Sequence, residues 1–186
     1  MERPRIVLCA IDLTDLAGRE VALASEVCEA FAARLVLHHN VASVALGLTR
    51  AWEWKEVHRD SRESPGEIER HLQSLMRGLP KTFPVEASIT TGSLVPILLD
   101  LAARLPADLI VLGSHGWSTE EHTSVAERIL DRASCPVLTI HDLSGAPAGP
   151  RLRARPGHPP PEVVVPIDLT DASARVLDYA FDLARA

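Results

Sequence analysis

Residues 107–116 read Ala107-Asp-Leu-Ile-Val-Leu-Gly-Ser-His-Gly116, and this stretch decides the fold. The run from Leu109 to Leu112 is apolar without interruption. A strand with one wet face alternates apolar and polar residues. An unbroken Leu/Ile/Val run marks a strand covered on both faces, as in a parallel sheet. Gly113 and Gly116 end the run in a glycine-bearing loop, and residues 124–132 follow with helical spacing.

Working outward, the same strand–helix unit returns. Residues 5–11, Arg5-Ile-Val-Leu-Cys-Ala-Ile11, form another continuous apolar run. Asp12-Leu-Thr-Asp15 then supplies turn and N-cap chemistry, with Thr14 or Asp15 capping the next helix. That helix carries Val21, Ala24, Val27, Cys28 and Phe31 on one face. Residues 34–38 read as a second strand, and residues 65–77 as a helix stopped by Gly78 and Pro80. Residues 84–90 alternate, as expected of a third strand nearer an edge. Thr91-Gly-Ser93 opens a helix whose Leu94, Ile97, Leu98 and Leu101 face inward, and residues 136–140 close the series as strand five. Alternation at this spacing implies right-handed crossovers, hence an α/β, doubly wound five-stranded parallel sheet with helices on both faces. The segment 41–65 is the least regular, and its Trp52 and Trp54, in a chain only 4% aromatic, mark a candidate interface.

Three regions follow. Residues 1–142 form the α/β domain, residues 143–161 a Pro/Gly/Arg-rich linker, and residues 162–186 a strand–helix unit. Ala146-Pro-Ala-Gly-Pro150 and His158-Pro-Pro-Pro161 cannot build a packed element, and Arg151, Arg153 and Arg155 read as a solvated basic stretch between them. Beyond the linker, Ile11-Asp-Leu-Thr-Asp15 recurs letter for letter as Ile167-Asp-Leu-Thr-Asp171, and Arg19 and Ala24 recur in register as Arg175 and Ala180. This is a duplication of the opening unit. A lone strand–helix unit cannot bury its own apolar face. Either it begins a tandem copy, or it docks on an existing sheet, in cis or on a second protomer. Docking is the expectation, because Val163-Val-Val-Pro166 would otherwise be exposed.

Composition narrows the function. A net charge of −6 and a pI near 5.7 exclude nucleic acid as the main partner, since phosphate binding needs a basic surface. No apolar run approaches the ~18 residues that cross a bilayer, and the opening residues show no cleavage-site pattern, so a cytoplasmic protein without a membrane partner is expected. Cys9, Cys28 and Cys135 are far apart and set among apolar residues, which fits buried reduced thiols.

Catalytic and metal chemistry find little support. His38 and His39 are adjacent at a strand end, where neighbouring side chains point to opposite faces. His115 and His122 share a loop with Glu120 and Glu121, a solvated polar loop for which no metal is expected. Ser114 beside His115 lacks the G-x-S-x-G elbow and a third partner. Asp12 and Asp168 each sit in a strand-end turn, where aspartate is common for local hydrogen bonding. No enzyme is expected.

Residues 6–12, residues 107–116 and residues 125–140, with the Cys135-Pro-Val-Leu ending, together resemble the universal stress protein family across residues 4–141. The resemblance implies the strand order 3-2-1-4-5, an adenine nucleotide site, and homodimers through strand five, here from Pro136 to Ile140, with the tail as a second contact. In that order strands one and four are neighbours whose chains leave in opposite directions, opening a crevice at their carboxyl ends. By resemblance, Asp12 contacts the adenosine and Asn40 or Val41 flanks the base. Gly113, Gly116, Thr123 and Ser124 hold the phosphates, and ATP or AMP is the expected ligand. The nucleotide-binding members carry nine residues between the second glycine of this loop and a last glycine that precedes Ser or Thr. Here only six, Trp117 to His122, separate Gly116 from Thr123, which stands where that last glycine belongs. The Thr123 Cβ obstructs close backbone approach to a phosphate, and Glu120 and Glu121 repel a triphosphate if they face it. The alternative is therefore a nucleotide-independent dimerisation or partner-binding module with a degenerate phosphate loop.

Overall fold

The two unbroken apolar runs become the two central strands of one sheet. β1 (Ile6–Ile11) lies between β2 (Arg34–Val41) and β4 (Leu109–Ser114). β3 (Val85–Thr91) flanks β2, and β5 (Val137–His141) flanks β4. All four pairings are parallel, in the order β3-β2-β1-β4-β5. The computed structural model describes residues 3–13, 17–41, 65–114, 125–141, 164–165 and 171–185. The segment with Trp52 and Trp54, the linker, and the loop from His115 to Ser124 lie outside the described residues.

The two-residue period of the strands sorts the core into two halves. Val7, Cys9, Leu35, Leu37, Leu109 and Val111 face α1 (Ala17–Phe31) and α2 (Pro65–Arg77). Leu8, Val36, Ile110 and Leu112 face α3 (Leu94–Arg104) and α4 (Val125–Leu130). Each central strand is thus apolar at every position because each face has its own helical layer. β3, at the sheet edge, leaves Glu86, Ala87 and Ile89 exposed, in keeping with its weaker pattern.

At the amino ends of the strands, the Asp108 carboxylate fastens β1 to β4. Its Oδ2 accepts the backbone N–H of Arg5 at 2.9 Å and of Ile6 at 3.0 Å. At the same end α1 stops on a left-handed residue. Ala32 has φ 53°, and the Ala33 N–H reaches back to the Cys28 carbonyl at 3.0 Å, the six-to-one bond of a Schellman turn. Glycine usually takes this position, because a Cβ disfavours the left-handed region. Ala32→Gly is therefore expected to raise stability by about 0.5–1 kcal/mol, read as a higher urea midpoint with an unchanged slope.

All three thiols are free. Burial pushes Cys9 well up and Cys28 up to about 12, and it also raises the half-buried Cys135. These thiols are poor nucleophiles.

The tail forms α5 (Asp171–Arg185), which rests on the α1 side of the sheet. Tyr179 packs against that half of the core together with Leu138. Asp182 and Arg185 face Arg3, Ala30 and Phe31 across a small cleft. Burial first, then Cys135 and Asp108 nearby, pushes the Tyr179 phenol up to about 12. Of the strand expected before α5 only Val164 and Val165 are described; neither lies in a strand, and Val164 is 87% exposed. Pro166 behind them has no N–H to give a ladder. No described helix is long and apolar enough to cross a membrane.

Candidate functional site

Strand register alone builds a notch at the carboxyl end of β1. The last β1–β2 pair is Ile11 with His39, yet β2 continues, pairing Asn40 with Thr90 and Val41 with Thr91. On the other side β1 and β4 part after Ala10 and Leu112, while β4 runs on, pairing Gly113 with Ile140 and Ser114 with His141. Both neighbours overreach β1. The chain turns away at Asp12 and Leu13, so Asp12 lies on the floor, between an Asn40–Val41 wall and a Gly113–Ser114 wall.

The turn that aims Asp12 is itself unusual. Leu13 has φ 61°, a conformation its Cβ disfavours, and its side chain is held against the core. Residues kept in such regions by surrounding packing concentrate at functional sites. His39 steadies the same turn, its Nδ1–H donating to the Ile11 carbonyl at 3.0 Å, which also fixes the tautomer.

Gly113 sits directly over a buried acid. Glu20, in the first turn of α1, is 1% exposed, and a Cβ built on Gly113 would overlap its carboxylate. Any side chain at position 113 would force the Glu20 carboxylate to shift, whether or not a ligand approaches.

The residues expected to form the site divide into three groups. Asp12 follows the last residue of β1, and Val41 and Gly113 lie in the parts of β2 and β4 that run past it. Asn40 belongs to the same wall, but its amide turns to β3: Nδ2 donates to the Gly92 carbonyl at 2.9 Å and Oδ1 accepts from Thr90 at 2.9 Å. Gly116, Thr123 and Ser124 lie outside the described residues, as do His115, His122, Glu120, Glu121 and Asp168. Among the described residues no cluster of three or more His, Cys, Asp or Glu could hold a metal.

Three residues at the site escape the sequence reading: Glu20, His38 in its buried role, and Thr90. Glu20 had a signal. It stands four residues before Ala24 and seven before Val27, both on the inward face of α1, so helical spacing already puts it inside. Thr90 had none, because only the strand register shows what it faces.

A doubly wound parallel sheet whose order reverses between β1 and β4 defines the class of open α/β sheets with a topological switch point at the carboxyl ends of those strands. Within that class, the chain belongs to the universal stress protein family, whose model matches residues 4–141. Among solved structures it is similar to the universal stress protein UspA from Lactobacillus plantarum, with a TM-score of 0.55 at 20% identity, over 75% of this chain and 99% of that one. It is also similar to a universal stress protein crystallised in complex with cAMP, with a TM-score of 0.57 at 22% identity, over 75% of this chain and 99% of that one. Among curated proteins, none matches this chain.

Proposed function

We propose that the notch above Asp12 binds an adenine nucleotide, ATP or AMP, and that the protein is a cytoplasmic stress-response or signalling module with no catalytic role. The observation that carries this reading is the overreach of β2 and β4 beyond β1. It makes a walled crevice at the one place where chain exits diverge. The cAMP complex of a protein with the same fold supports an adenine ligand. Asp12 takes the adenosine, Val41 flanks the base, and Asn40 holds the wall beside it. Gly113, Gly116, Thr123 and Ser124 take the phosphate through backbone N–H groups and hydroxyls.

A second reading is favoured by a separate observation. β5 has β4 on one side and, among the described residues, nothing on the other, so its outer edge from Val137 to His141 is free to pair. A homodimer formed there, with the α5 tail as a further contact, works without any nucleotide. Isothermal titration decides between them. Saturable micromolar binding of AMP or ATP is expected. No binding of either at high micromolar concentration, with a dimer by light scattering, overturns the nucleotide reading in favour of the interaction module.

A further inference from the structure

The hydrogen bonds across the ends of β2 and β3 form a chain with a defined direction. The Gly92 carbonyl accepts from Asn40 Nδ2 at 2.9 Å, which fixes the orientation of the amide and leaves Oδ1 facing Thr90. Thr90 Oγ1 donates its single proton to that Oδ1 at 2.9 Å. The hydroxyl must then accept from His38, whose Nε2 lies 3.3 Å away, so the buried imidazole carries its proton on Nε2. At the other end the Gly92 N–H donates to the Val41 carbonyl at 3.1 Å and closes the chain back on β2. Gly92 can serve this way because its φ of 136° is open to glycine, and a Cβ there would come within 2.9 Å of Ile97 Cδ1.

These bonds occur where β2 needs them. Below Ile11, β2 has a strand on each side; at Asn40 and Val41 it has lost β1 and keeps only β3. We propose that His38, Thr90 and Asn40 are positioning residues that hold the last two residues of β2 upright as the wall of the notch over Asp12. A hydroxyl at position 90 is essential to the arrangement, because it alone accepts from His38 while donating to Asn40. The consequence for ligand affinity rests on the nucleotide reading above; the consequence for the wall does not.

The test uses the full chain with Thr90→Val, which keeps the shape and removes the hydroxyl, and Thr90→Ser, which restores it. Amide hydrogen exchange followed by NMR should show the Gly92 N–H exchanging about tenfold faster in T90V. Amides of β1 should keep the wild-type rate, and T90S should return Gly92 to within about twofold of wild type. Asn40→Ala, which leaves β3 untouched, should give the same local acceleration and serves if T90V fails to fold. AMP affinity measured by titration should fall about fivefold in T90V and recover in T90S. An unchanged Gly92 rate in T90V or N40A, or a T90S protein as fast as T90V, overturns the proposal. If wild type binds no AMP, the nucleotide reading fails while the exchange rates still decide the wall.

Discussion

Acidification from pH 7 to pH 4.5 is expected to remove about 2–3 kcal/mol of folding stability through His38 alone. This imidazole is 0% exposed, and burial first, then the neighbouring His39, lowers its pKa from the usual 6.5 to about 4; the Ser88 carbonyl draws weakly the other way. The tautomer explains why the folded state resists the proton. Nε2 already donates to Thr90, so a second proton must enter on the buried Nδ1. The sign follows from linkage. Below pH 6.5 the unfolded chain takes up a proton that the folded chain refuses, so the contribution is complete above 6.5 and drains away as pH falls toward 4. Below that value both states are protonated and nothing more is lost. His38→Gln keeps an N–H toward Thr90 and abolishes the titration. Urea unfolding at pH 7, 6, 5 and 4.5 should show the stability gap between wild type and variant shifting by about 2–3 kcal/mol toward the variant. Parallel stability curves would show that His38 does not titrate differently in the two states.

How much was legible in the sequence depends on what each residue's neighbours are. Runs such as Ile6–Ile11 and Leu109–Leu112 announce themselves, because burial on two faces demands an apolar residue at every position. The α1 face showed in the same way, through helical spacing. The order of the strands came instead from the family resemblance, since periodicity says that a strand is buried but not what lies beside it. The site was legible only in outline for that reason. Asp12 and Gly113 could be named as strand ends, and Asp12 does follow β1 while Gly113 is the residue before the last of β4. Glu20 was passed over because an acid on an amphipathic helix normally faces water. Asn40 or Val41 flanks the base only by the family resemblance; parallel register sets Asn40 beside Thr90, where its amide is engaged. The tail is a converse case: Val163-Val-Val165 has strand composition, but a strand also needs a partner, and the described Val164 and Val165 lie in no strand.

Gly113→Ala is expected to cost about 2–3 kcal/mol, a large effect for one methyl group near a strand end. The Cβ would occupy the space of the Glu20 carboxylate, and Glu20 is too enclosed to move aside freely. A surface acid in the same position would swing away at little cost; a buried one must carry its neighbours with it. The cause can be isolated by a double-mutant cycle. In a Glu20→Ala background the space is vacant, so the same glycine substitution should cost less than about 1 kcal/mol, leaving a coupling energy of about 1–2 kcal/mol by urea denaturation at pH 7. Equal cost in both backgrounds would mean that the glycine is needed for its backbone and not for the acid beneath it. The cycle also separates two demands that fall on one residue. Loss of AMP binding in the single variant is ambiguous, because the wall carrying Gly113 has been displaced. In the double variant the wall is relieved, so weak AMP binding there assigns Gly113 to the phosphate, and wild-type binding assigns it to packing against Glu20.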